Sequence, residues 1–309
     1  MIKALMYHYV RHYDDNYPYF RFLELDNFRK QLDYLETKYG FVKRHEWNDF
    51  IKKKRITKLK GKIILTFDDA LSCHFNYVFP ELEKRGLWGI FYVPTSPYST
   101  NKILDVHRIH LLCGAFEGIK IYEILQTFLD ERMIPQKRLN EFRNNTYVKQ
   151  ENYKYIKEIK RILNYFVDYK YREGLIDNIF SALNFKYSWE EFYVSIDNLK
   201  AMQLSGNIIG SHGSNHLVMS QLSEKEQRME IKNSLYFLER NGLNLDKTYC
   251  HPYGGFHTFN KDTIKILAEE AIGYSFNVEP RDIFENDIIN SPYYLPRYDC
   301  NQFKYGKAS

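Results

Sequence analysis

Two short, mainly apolar runs, Ile63-Ile64-Leu65-Thr66-Phe67 and Asn207-Ile208-Ile209-Gly210, do most to limit what this chain can become. Neither alternates polar with apolar, so each reads as a strand covered on both faces. Strands of that kind belong to parallel sheets flanked by helices. The rest of the chain agrees. Strand-like segments at residues 2–7, 62–67, 87–93, 207–210, 247–251 and 273–278 alternate with helix-like ones. Asp26 reads as the cap of a helix ending near Gly40, with Phe28, Leu32 and Leu35 at helical spacing. Another helix covers 75–85, with Pro80 in its first turn. Ser188-Trp189-Glu190-Glu191 and Ser223-Glu224-Lys225-Glu226 have the form of capping boxes, opening helices to about Gln203 and Arg240. A further helix runs from about Asn260 to Ala271. Such alternation makes an α/β fold with a mostly parallel sheet.

Residues 99–187 differ. Helical periodicity at 106–116, 119–129, 153–167 and 175–183 dominates, with no convincing strand. The expected organisation is therefore a first part of a barrel over 1–98, a helical insertion or cap over 99–187, and the remainder of the barrel over 188–309. With 309 residues, 44% apolar and 27% charged, the composition is that of an ordinary globular protein. The net charge of +5 is spread out. Its densest run, Lys52-Lys53-Lys54-Arg55 followed by Lys58, Lys60 and Lys62, reads as a solvated loop or helix end, with a phosphate or anionic membrane surface as the lesser alternative. No basic stripe suggests nucleic acid, and no apolar stretch approaches the roughly 18 residues of a transmembrane span. The opening Met1–Val10 segment reads as a strand, not a signal peptide. Cys73, Cys113, Cys250 and Cys300 are widely spaced with no CxxC pair, which fits a reducing, cytoplasmic setting. Aromatic residues reach 17%, but Lys, Asn and Ile are abundant too, so this carries little functional weight.

The chemistry lies where the apolar runs end. Asp68 and Asp69 follow the first; Ser211-His212-Gly213-Ser214-Asn215-His216 follows the second. Successive side chains leaving a strand point to opposite sides, so one Asp can bind a metal while its neighbour faces a substrate. Two histidines four apart can converge on one metal from a tight loop, which Gly213 and Asn215 favour. Taken singly, each motif is as well explained by a helix cap or a core histidine. Together they sit at the carboxyl ends of strands, the side on which α/β barrels build active sites.

Thr66-Phe67-Asp68-Asp69-Ala70, the His212–His216 loop and Pro252-Tyr253-Gly254 resemble, in order, three motifs of the polysaccharide deacetylases (NodB-homology, carbohydrate esterase family 4). Met6-Tyr7-His8-Tyr9-Val10 and Leu295-Pro296-Arg297 resemble further segments of that family. The likeness covers 1–95 and 188–299. It implies a distorted (β/α) barrel and a divalent metal, most simply Zn2+, on Asp69, His212 and His216. It also implies Asp68 as general base and the backbone N–H of Tyr253 at the oxyanion.

The chain departs from the family twice. No late strand ends in the usual Leu-x-x-His. The strand ending at His8 is the favoured source of the acid, as in a circularly permuted order, with His107, His110 and His251 as alternatives. The Arg that family members carry two residues before Pro-Tyr-Gly is Cys250 here, and Arg297 is the candidate to supply the guanidinium. The expected activity is removal of an N-acyl group, most simply acetyl, from a sugar or a nucleotide-linked or lipid-linked glycan precursor. Hydrolysis of a non-sugar amide or a formyl group is the alternative. A catalytically silent glycan-binding protein is the third reading.

Overall fold

All five residues of Ile63–Phe67 and all five of Gly89–Val93 are buried, and continuous burial is what their unbroken apolar character requires. The computed structural model describes residues 1–55, 61–144, 146–147, 153–243 and 245–308, so Lys58 and Lys60 of the basic run lie outside the described residues. The chain divides into two compact units, one of residues 1–12, 22–101 and 190–309, the other of 13–21 and 102–189.

The first unit is built on seven strands: β1 Lys3–Tyr7, β2 Ile63–Phe67, β3 Gly89–Val93, β4 Ile208–Ser211, β5 Thr248–Cys250, β6 Tyr274–Phe276 and β7 Tyr298–Asp299. Their spatial order is β6-β5-β4-β3-β2-β1-β7, and every pair is parallel. Leu5 pairs with Leu65, Phe91 with Ile209, and Tyr249 with Ser275. Just before β7, Leu295 receives a bond on its carbonyl from Asn277 and donates to Ser275, at the opposite edge. Residues 295–299 thus touch both edges, and the sheet curls into a distorted (β/α) barrel.

Alternation sorts the strand residues into two cores. Leu5, Leu65, Phe67, Phe91 and Ile209 pack with Phe28, Leu32 and Leu35 of the helix Leu25–Lys38. Ala4, Ile64, Ile90, Ile208, Cys250 and Phe276 form the other cluster with Trp47, although β1 and β6 are far apart in sheet order. Only a curled sheet brings them together, which makes this the inner face. Each large side chain buried this way contributes about 1.5–3 kcal/mol. Gly210 keeps the curl tight: a Cβ there would lie 2.6 Å from the Tyr92 ring and 2.7 Å from Thr248.

Three helix starts differ from the sequence expectation. Asp26 is not a cap. The short strand Leu23–Glu24 pairs with Val10–Arg11, so the helix begins at once at Leu25, and Asp26 in its first turn accepts a bond from Arg29. The helix over 75–85 starts as a π-helical turn, His74–Val78, and continues as Phe79–Lys84 with Pro80 in the first turn of that second piece. Ser188 opens no helix. Tyr193 bridges Leu71, with Ser72 donating to Phe192 and Val194 to Ala70, and this extended backbone delays the helix to Ile196–Leu204, capped by Ser195. The Ser223 capping box is present and opens Glu224–Arg240.

The second unit contains the helices Asp105–Ala115, Gly118–Phe128, Gln136–Phe142, Lys154–Arg161 and Tyr169–Ala182, and no strand among its described residues. Residues 13–21 join it, tied by a bond from Tyr19 N–H to the Gly114 carbonyl. Among the described residues no helix is long and apolar enough to cross a membrane.

Candidate metal centre and its base

Four of the five adjacent strands β1 to β5 release polar residues at the same end of the sheet. His8 follows β1, Asp68 and Asp69 follow β2, His212 follows β4, and Tyr253 comes shortly after β5. The ladder still holds the first residues out: Asp68 N–H donates to the Tyr7 carbonyl at 3.0 Å, and His212 N–H to the Val93 carbonyl at 2.9 Å. Beyond them the chain turns abruptly. Asp69, His216 and Tyr253 have φ of 82°, 53° and 62°, a left-handed conformation that costs a non-glycine residue about 1–3 kcal/mol. The left-handed turn at Asp69 sends its carboxylate away from that of Asp68.

The two carboxylates keep different company. Asp69 Oδ1 lies 3.6 Å from His212 Nε2 and 3.5 Å from His216 Nε2, with all three residues buried. His212 Nδ1 is 2.8 Å from the Cys250 carbonyl, which can only accept, so Nδ1 carries the proton and the Nε2 lone pair faces Asp69. Burial lowers the His212 pKa, outweighing the pull of Asp68 and Asp69 in the opposite direction, and so favours the neutral ligand form. Two imidazole nitrogens and one carboxylate oxygen, with no fourth donor in the group among the described residues, suit a zinc-type ion with positions left for water and substrate. His8 Nε2 stands 3.9 Å from the other Asp69 oxygen, and its side chain is 38% exposed. It is the most accessible imidazole at this site.

Asp68 is clamped instead. Arg297 Nη1 and Nη2 each donate to one of its oxygens at 2.8 Å, and the guanidinium also donates to Thr66 Oγ1 at 3.0 Å and the Asn277 carbonyl at 3.1 Å. Arg297 is fully buried. Burial alone would raise the Asp68 pKa; Arg297, with help from His212, overrides it and holds the carboxyl at about 2. The guanidinium arrives from the segment before β7, and Cys250 leaves it room, with Sγ 2.9 Å from Nη2. Tyr253 packs its ring at 4.8 Å from that of His216.

The other candidate histidines follow or belong to other elements. His251 faces away, with Nε2 2.7 Å from the Tyr293 carbonyl and its ring stacked on Phe259. His107 and His110 are on Asp105–Ala115 in the second unit.

Two supporting residues were not singled out from sequence. Glu230, buried on Glu224–Arg240, accepts from Ser214 N–H at 3.2 Å, Asn215 N–H at 2.8 Å and the Asn215 side chain, and so braces the loop between the two histidines. His74 places Nε2 2.7 Å from the His8 carbonyl. Burial depresses its pKa to about 4, so it is a neutral donor that fixes the backbone of His8. The capping box signals the helix that carries Glu230, and nothing local signals either contact.

Residues 180–275 match the sequence model of the polysaccharide deacetylase family, a span that includes His212, His216 and Tyr253. Asp68 and Asp69 lie outside that span and reach the site through the sheet. No curated protein matches the sequence. Among solved structures, the Streptococcus pyogenes deacetylase PplD in complex with acetate is similar at 16% identity, with a TM-score of 0.57 over 96% of this chain and 91% of that one. IcaB from Ammonifex degensii is similar at 18% identity and TM-score 0.52, covering 96% and 91%. A de-N-acetylase from Aggregatibacter actinomycetemcomitans has 14% identity and TM-score 0.54, covering 96% and 94%. At such identities these likenesses speak for the fold. The matched segment and the shared fold thus make the chain similar to the polysaccharide deacetylase family.

Proposed function

We propose that the chain is a metal-dependent hydrolase that removes an N-acyl group, most simply acetyl, from an amino sugar of a glycan or glycan precursor. The observation that carries this reading is the division of the adjacent carboxylates, Asp69 turned toward two histidines and Asp68 locked to Arg297. Asp69, His212 and His216 would hold the ion, which when bound supplies Lewis acidity at the amide carbonyl and acidifies a water. Asp68 stays ionised at any working pH and takes the proton of the attacking water. Its low pKa makes it a weak base, adequate only for an acidified water. Arg297 keeps its two oxygens from turning toward the ligand set. The backbone N–H of Tyr253 faces the oxyanion, and His8 gives a proton to the leaving amine. The four free thiols support a reducing compartment, where a nucleotide-linked or lipid-linked precursor is the available substrate.

The test uses zinc-loaded protein with N-acetylglucosamine oligomers and an N-formyl analogue, measuring released acid and free amine. Asp68→Asn is expected to keep one zinc per chain and to lose turnover by about 10²–10⁴-fold. Asp69→Ala is expected to lose the zinc itself. Full turnover by Asp68→Asn would sink the base assignment. Stoichiometric zinc with no acyl release from any substrate would favour a silent glycan-binding protein.

A further inference from the structure

Next to the His212–His216 loop the barrel unit has a cleft of about 420 Å3. The loop contributes Ser214 and Asn215, the end of β3 contributes Thr95 and Ser96, and the helix Glu224–Arg240 contributes Asn233, Tyr236 and Arg240. The last three share one helical face, being three, four and seven residues apart. Backbone bonds from Thr95 to Gly213 at 3.2 Å and from Ser96 to Ser214 at 3.0 Å join β3 to the loop.

Three features give the cleft its chemistry. Hydroxyls and amides dominate its lining, with Phe237 the one apolar member and no carboxylate among the described residues. Tyr236 is 67% exposed, a ring with an uncovered face such as sugars stack on. Arg240 makes no ion pair or side-chain hydrogen bond among the described residues. On the same helix Arg228 pairs with Glu224 and Glu269 and Lys232 with Glu270, while Lys225, at the opposite end from the cleft, makes no ion pair among the described residues. A guanidinium without a counter-charge beside hydroxyls and an open ring suits a planar or tetrahedral anion carried on a sugar.

We infer that this cleft is a subsite for a negatively charged sugar unit, adjacent in the substrate to the unit whose acyl group is removed. The connection to the metal set is one residue long: Asn215 lines the cleft and the next residue, His216, faces Asp69. The inference rests on the proposed function for the word substrate, but binding in the cleft does not depend on turnover. A helix ending in Arg also complements the helix dipole, and that role needs only a positive charge. The subsite needs the fork of the guanidinium.

The experiment titrates the zinc-loaded full chain with three probes that carry no acyl group: cellobiose, cellobiose bearing one phosphate, and its uronic acid counterpart. Binding is read by calorimetry. At least one anionic probe is expected to bind about ten-fold more tightly than cellobiose, and the phosphate and uronate arms tell which anion is preferred. Arg240→Gln should abolish that preference, Arg240→Lys should keep the thermal midpoint and lose most of it, and Tyr236→Ala should weaken all three probes. Zinc content checks that each variant is folded. An anion preference equal in wild type and Arg240→Gln, or none in wild type, overturns the subsite. Arg240-dependent binding of these probes, with no acyl release from the N-acetyl and N-formyl substrates of the turnover assay, overturns the proposed reaction and leaves the subsite standing.

Discussion

Replacing Arg297 by Met tests whether the clamp on Asp68 is an energetic necessity. The substitution removes two charge-assisted bonds at 2.8 Å from a carboxylate that is itself 2% exposed. Such bonds are worth about 1.5–3 kcal/mol each, giving about 3–6 kcal/mol. Breaking a buried pair by deleting one partner costs about 3–5 kcal/mol by direct comparison, because an uncompensated charge is left behind. Thr66 and Asn277 lose donors as well, so the expectation for Arg297→Met is a loss of about 3–5 kcal/mol at neutral pH. Asp68→Asn in the same background removes the stranded charge and should restore a large part of it. The assay is urea unfolding of wild type, both single variants and the double variant. A cycle additive to within about 0.5 kcal/mol, or a loss below about 1 kcal/mol in Arg297→Met, would refute the reasoning. Arg297→Lys should fall between, since an ammonium cannot meet both Asp68 oxygens from that position.

Glu230→Gln keeps the shape of the brace but faces at least one loop N–H with another N–H; zinc affinity, read by chelator competition, should fall about 10–100-fold, and a change within about two-fold would show that the loop holds its own geometry. His74 and His251 are held neutral by burial, with pKa values of about 4 and 3. The unfolded chain binds these protons below about pH 6.5, so the stability they confer is present above that pH and is lost as pH falls toward the folded values. Their combined slope is at most about 2.7 kcal/mol per pH unit between about pH 6 and 4. Urea midpoints that stay flat from pH 6.5 to 5 would contradict this. Gly254→Ala places a Cβ 2.4 Å from Val278 at a φ of 71°, so it should cost about 1–3 kcal/mol and disturb the neighbouring Tyr253; an unchanged urea midpoint would show that the turn can relax.

The strands that present the chemistry are legible because burial on both faces leaves no room for polar residues until the strand ends, as at Phe67 and Ser211. The capping box at Ser223 is equally local and equally readable. Ser188 shows the limit. It has the same sequence form, yet a pairing between Tyr193 and Leu71, distant in sequence, decides the backbone there. The π turn at His74 and the donation from His74 to His8 are likewise set by packing between segments. Arg297 lies 229 residues from Asp68, and only the closure of the sheet makes them neighbours. Glu230 has no local mark of its own, since a helix pattern shows which face is covered but not which acid finds two backbone N–H groups beneath it.

The closing segment, residues 295–299, gives the order of synthesis a chemical meaning. Six strands, the ligand set and Asp68 all precede it in the chain. While these emerge from the ribosome and begin to fold, Asp68 has no counter-charge and the sheet has two open edges. A single short piece then seals both edges and brings Arg297 against Asp68. Completing the barrel and giving Asp68 its counter-charge are therefore the same event. Fragments ending before residue 295 would leave Asp68 without its guanidinium as well as the sheet unsealed.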